Sequence, residues 1–111
     1  MGADLRIEPC DVTIKRDVVR LVQKLQDTLP PVAGIVNGAM VMHDQPFADM
    51  DDETFRRVLR PKVDGSKNLD EVFGDSPLDF FIMTSSTAAV IGKSTSVHAV
   101  RTLIFTFTLT R

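Results

Sequence analysis

Leu78-Asp79-Phe80-Phe81-Ile82-Met83-Thr84-Ser85-Ser86-Thr87 is the most apolar run of the chain, broken only by Asp79, and it passes directly into four hydroxyl side chains. A short apolar run of this length suits a strand buried on both faces of a parallel sheet, with a polar loop at its C-terminal end. Upstream, Ala33-Gly34-Ile35-Val36 has the same character between Pro31 and Asn37-Gly38. The intervening stretch reads as a helix. Asp51-Asp52-Glu53 places acids at its start, where they complement the macrodipole. Phe55, Val58, Leu59, Val63, Leu69, Val72 and Phe73 supply an apolar stripe. Pro61 is expected to kink or divide this helix, and Gly74-Asp75-Ser76-Pro77 to end it.

Working further outward, Val18, Leu21, Val22 and Leu25 fall at i, i+3, i+4, i+7, with Lys15, Arg16, Arg20 and Lys24 on the other faces. That spacing predicts an amphipathic helix, capped by Asp11 or Thr13 and stopped by Pro30-Pro31. Before it, Leu5 to Pro9 is a short extended segment. The order strand, helix, strand, helix, strand predicts an α/β fold with parallel strands. The tail from Arg101 to Arg111 departs from this order: Leu103, Phe105, Phe107 and Leu109 alternate with Ile104, Thr106, Thr108 and Thr110. Its period of two favours a strand and makes it a candidate for self-association.

Composition narrows the function classes. A length of 111 residues suits one domain, and 13 Lys and Arg against 15 Asp and Glu leave a net charge of -2. No basic block tracks a phosphate backbone, so nucleic acid is not expected as a partner. One cysteine, Cys10, forms no internal disulfide and no Cys/His spacing suggests a metal site. With no apolar run near the roughly 18 residues that cross a bilayer, the expectation is a cytoplasmic chain without a membrane partner. All seven aromatics are Phe, so no tyrosine hydroxyl is available to any chemistry.

In open α/β sheets ligands bind beyond the C-terminal ends of the strands. Three polar groups fall there: Asp11-Val12, Asn37-Gly38-Ala39 and Thr84-Ser85-Ser86-Thr87. Each has an ordinary structural reading as a cap, a turn or a solvated loop. Their agreement is the stronger signal.

The run Val58-Leu59-Arg60-Pro61-Lys62-Val63-Asp64-Gly65, followed by Phe80-Phe81-Ile82-Met83-Thr84-Ser85-Ser86-Thr87-Ala88-Ala89, closely resembles the ketoreductase domain of fungal-type reducing polyketide synthases. These domains belong to the short-chain dehydrogenase/reductase class. Ser86 stands 24 residues after Lys62, as in the family pattern. Gly34 to Asp44 and Cys10-Asp11-Val12 are similar to the family's cofactor-side segments, so the likeness spans residues 4 to 98.

The resemblance implies a partial Rossmann-like parallel sheet with flanking helices, which uses NADPH to reduce a β-keto group on a carrier-bound acyl chain. It implies that Ser86 hydrogen-bonds the keto oxygen and Lys62 supports proton transfer. It further implies that Asp11 and Val12 contact adenine, while Asn37, Gly38 and Ala39 line the cofactor channel. Asp44 takes the last position of a loop motif linked to stereochemistry, in which Met42-His43 replaces the usual pair.

Two family features have no counterpart in this sequence. No glycine-rich strand-to-helix turn precedes Asp4 to hold a pyrophosphate. The family's proton-donating Tyr is expected thirteen residues after Ser86, where Ala99 stands beside His98. The expectation is a ketoreductase piece over residues 1–98, with a divergent tail over 99–111, that binds NADPH poorly and is inactive alone. A truncated or shifted reading frame would account for that tail. In the usual strand order 3-2-1-4-5-6 this piece holds strands three to five, leaving the first segment without its neighbours and the fold marginally stable. The contrasting expectation is a non-catalytic chain that docks on a larger synthase or self-associates through 101–111.

Overall fold

The structure, a computed structural model, describes residues 4–43 and 45–85. Helix α1 spans Lys15–Gln26, strand β1 Gly34–Asn37, helix α2 Asp52–Phe73 and strand β2 Phe80–Met83, with a short 3-10 turn at Phe47–Asp49. The two strands pair in parallel, with Gly34 opposite Phe80 and Asn37 opposite Met83. A βαβ unit therefore forms the centre of an α/β fold.

Both helices lie on one face of the sheet. Val18 and Val22 of α1 meet Leu69 and Phe73 of α2 in a buried cluster, against which Cys10, Val32, Ile35, Val72, Leu78 and Phe81 pack. Leu59 and Val63 leave the expected stripe and line a surface hollow with Arg56, Arg60 and Asp64. The stripe narrows because α1 covers only part of α2.

The other face of the sheet is open among the described residues. Val36, Phe80 and Ile82 are 57%, 48% and 50% exposed, so the expected burial of both strands on both faces is corrected. An apolar run reveals no direction, and among the described residues only the helix-facing side is covered. On the open side the Phe80 ring lies directly over Gly34, where a Cβ would collide with it. Leu5 to Pro9 pairs with neither strand, and Leu5 and Ile7 are 84% and 90% exposed.

Two local expectations also change. The N-cap of α1 is Ile14, which has no side chain able to accept a hydrogen bond. Asp11 instead closes its own turn, accepting from the Thr13 amide at 2.9 Å and the Thr13 hydroxyl at 2.7 Å. This local bonding competes with capping. Helix α2 runs undivided through Pro61, which is buried within it. Packing on the sheet outweighs the one backbone hydrogen bond that proline removes. As expected, acids start α2: the Asp51 carboxylate accepts from the Thr54 amide at 2.6 Å. That bond holds the Asp51 carboxyl below the usual carboxylate range.

Candidate active site

The C-terminal ends of β1 and β2 lie side by side because the parallel register sets Asn37 against Met83. The next residue of β2's strand, Thr84, donates its backbone N–H to the Asn37 carbonyl at 3.2 Å. Its hydroxyl donates to the same carbonyl at 3.2 Å. Lys62 reaches across from α2. Its Nζ donates to the Thr84 carbonyl at 2.9 Å, to Thr84 Oγ1 at 2.8 Å and to the Asn37 carbonyl at 3.5 Å. A lysine ammonium is thus fixed at the sheet edge where ligands of such folds bind.

The Asn37 side chain points inward and is committed to the fold. The residue is 3% exposed. Its Nδ2 donates to Ser66 Oγ at 2.8 Å and to the Pro61 carbonyl at 3.4 Å, while Oδ1 accepts from the Ala39 amide at 3.1 Å. The last bond turns the chain sharply through Gly38. A Cβ at Gly38 would meet nothing within 4 Å, so this turn borders open space. Asn37 therefore shapes the strand-end turn, its carbonyl meeting Thr84 and Lys62.

Asp11 and Val12 are held against the same helix, one turn farther along. The Val12 carbonyl accepts from Asn68 Nδ2 at 2.9 Å. Its side chain lies against Gly65, where an added Cβ would come within 2.7 Å of Val12 Cγ2. The bonds from Thr13 hold the Asp11 carboxyl below its ordinary range, and the positive charge of Arg60 acts in the same direction. The turn consequently presents an ionised carboxylate beside a backbone carbonyl already engaged by α2.

Of the residues singled out from sequence, the structure gathers Lys62, Asn37, Gly38 and Ala39 at the strand ends and places Asp11 and Val12 on the neighbouring turn. Ser86, Asp44, His98, Ala99 and the tail over 99–111 lie outside the described residues. Gly65, Ser66 and Asn68 were missed as supporting residues. Their signal was small and polar side chains on the inward stripe of α2, three to six positions after Lys62.

The donor set suits the two ends of a dinucleotide. The ionised Asp11 carboxylate is an acceptor of the kind an amino group requires, and the turn at Gly38 leaves open space beside the backbone. The middle is not matched: α1 begins after Ile14 with Lys15-Arg16, and no glycine-rich turn stands at a helix N-terminus among the described residues. No group of three or more metal-ligating side chains occurs among them, and none of their helices is long and apolar enough to cross a membrane.

A family model described as KR domain matches residues 1–102. Trichosetin synthetase PKS-NRPS1 of Gibberella fujikuroi is 54% identical over 94 residues, which cover 85% of this chain and 2% of that protein. Highly reducing polyketide synthase aurA of Calcarisporium arbuscula is 44% identical over 93 residues, 84% of this chain and 4% of its own length. The chain thus spans a small fraction of these curated relatives. Among solved structures, a ketoreductase domain from the bacillaene assembly line matches with a TM-score of 0.76 at 32% identity, covering 84% of this chain and 22% of that one. A short-chain dehydrogenase/reductase from Brucella melitensis, 20% identical over 86% of this chain and 41% of its own, shares the fold with a TM-score of 0.76.

Proposed function

The chain belongs to the KR domain family, and from that membership we propose that it carries the lysine and cofactor-side portion of an NADPH-dependent β-ketoreductase acting on a carrier-bound acyl chain. When bound, NADPH supplies the hydride that reduces the β-carbonyl carbon, while the oxygen takes up a proton. Lys62 provides positive potential beside that oxygen and supports the proton transfer, and Ser86 hydrogen-bonds the oxygen itself. Asp11 and Val12 receive the adenine, and the backbone of Asn37, Gly38 and Ala39 edges the channel. The observation that carries this reading is the Lys62 ammonium at 2.9 Å from the Thr84 carbonyl, two residues before Ser86.

The chain contains no Tyr. Without that proton donor and a pyrophosphate turn, it binds NADPH weakly and completes no turnover alone. Incubating the 111-residue chain with NADPH and a bicyclic ketone surrogate tests both parts. Expected are cofactor fluorescence that titrates with protein and no loss of absorbance from the reduced nicotinamide. Steady oxidation would overturn the inactivity, and an absence of binding at millimolar NADPH would overturn the cofactor assignment.

A second reading is favoured by the apolar face that stands open among the described residues at Val36, Phe80 and Ile82. In it the chain is a non-catalytic accessory that docks on a larger synthase or self-associates through 101–111. Sedimentation velocity of the full chain against a Phe105→Ser, Phe107→Ser variant tests self-association: the variant is expected to dissociate, and a monomeric parent at all concentrations removes the idea.

A further inference from the structure

Helix α2 touches two loops that have no contact with each other in sequence: residues 11–13 before α1, and the strand-end turns at Asn37 and Thr84. Lys62 and Ser66 hold the second group. Gly65 and Asn68 hold the first, Gly65 by letting the Val12 side chain reach the helix and Asn68 by donating to the Val12 carbonyl at 2.9 Å. These residues lie within two turns of one uninterrupted helix, about 9 Å of rise from Lys62 to Asn68.

The Asn68 bond is long-range, joining positions 56 residues apart, and partly buried. It acts on Val12, not on Asp11. The Asp11 carboxylate is already fixed by Thr13 two residues away, so the turn has its own internal shape. What that local bonding cannot supply is the position of the whole turn relative to the strand ends. Leu5 to Pro9, which leads into it, is in neither strand and lends no ladder; Cys10 and α1, which flank it, pack on the core cluster and leave the Val12 carbonyl to Asn68. The Lys24 ammonium pairs with Glu8 at 2.7 Å, but both partners are partly solvent-exposed and the pair is weak.

We propose that Asn68 is a positioning residue, which with Gly65 sets the distance between the adenine-side turn at Asp11-Val12 and the strand-end turn at Asn37-Ala39. The proposal rests on the nucleotide site proposed above. A dinucleotide that bridges both turns depends on their separation, whereas a mononucleotide that uses only the strand-end turn does not. Asn68 thereby acts on affinity for the whole cofactor through Val12, without touching the cofactor itself.

The test compares the wild-type chain with Asn68→Ala for NADPH and for reduced nicotinamide mononucleotide, which lacks the adenosine half. Expected is a three- to tenfold weaker dissociation constant for NADPH, in line with one lost hydrogen bond, and an unchanged constant for the mononucleotide. Equal loss for both ligands, or none for NADPH, overturns the proposal. Nuclear Overhauser contacts in the ligand-free chain read the same tether independently. In Asn68→Ala the contact between the Val12 methyls and the Gly65 Hα is expected to weaken at least twofold while the cross-strand contacts of 35–37 with 81–83 are kept; loss of both, or no change at Val12, overturns it. If the wild-type chain binds NADPH no better than the mononucleotide, the nucleotide function fails, and the contact pattern still decides whether Asn68 positions the turn.

Discussion

Replacing Asn37 with Ala, alone and together with Ser66→Ala, probes the strand-end architecture most directly. Asn37 is 3% exposed and Ser66 is fully buried, and their 2.8 Å bond joins β1 to α2. The single change also removes the 3.1 Å acceptor of the Ala39 amide and the longer 3.4 Å bond to Pro61. Two good hydrogen bonds and a buried hydroxyl stripped of its donor put the loss at about 2–4 kcal/mol. A chain of this length has roughly 5–15 kcal/mol in total. Ser66→Ala leaves Nδ2 with only its weak bond and costs about 1–2 kcal/mol. Once Asn37 is gone, removing Ser66 costs little more, so the double variant falls short of additivity by about 1 kcal/mol. Urea unfolding followed by far-ultraviolet circular dichroism measures all four proteins, with sucrose added to keep the weakest folded. Losses that add within about 0.5 kcal/mol would show that the two side chains do not act as a pair.

Gly65→Ala should destabilise by about 1–3 kcal/mol through overpacking on Val12, and Val12→Ala in the same chain should recover most of it, because the crowded Cγ2 is removed. A urea midpoint that Val12→Ala leaves unimproved would place the strain elsewhere. The Asp51 carboxyl is depressed by its bond from the Thr54 amide, so its contribution is fully present above the ordinary value of about 3.9 and is lost as pH falls through the lower folded value. Asn caps as well as Asp without titrating. Helical ellipticity between pH 5 and 2 should therefore fall less in Asp51→Asn than in the parent, and superimposable acid limbs would count against the cap.

Much of the architecture was readable because it repeats. The α1 spacing at Val18 and Val22, the acids at Asp51–Glu53 and the two apolar runs each announce an element within a few residues. The resemblance carried the reading from those elements to Lys62 and the strand ends. What was not legible depends on partners distant in sequence. Asp11 looked like a cap because the competing Thr13 bond is invisible in a list of preferences. Pro61 looked like a break because the packing that offsets it comes from the sheet and α1. Val36 and Ile82 looked buried because apolarity does not say which side has a neighbour. Asn37 looked like a turn residue, and only its bond to Ser66, 29 positions away, reveals it as a tie between strand and helix.

The unbroken course of α2 has a consequence for how this stretch tolerates changes in length. Lys62, Gly65, Ser66 and Asn68 meet their partners only in one rotational phase. A residue inserted between Lys62 and Asn68 turns everything beyond it by about 100° and swings one set of contacts away from its loop. The connection from Gly74 to Asp79 carries no such phase, so gains and losses of residues between relatives should gather there and be absent from 62–68.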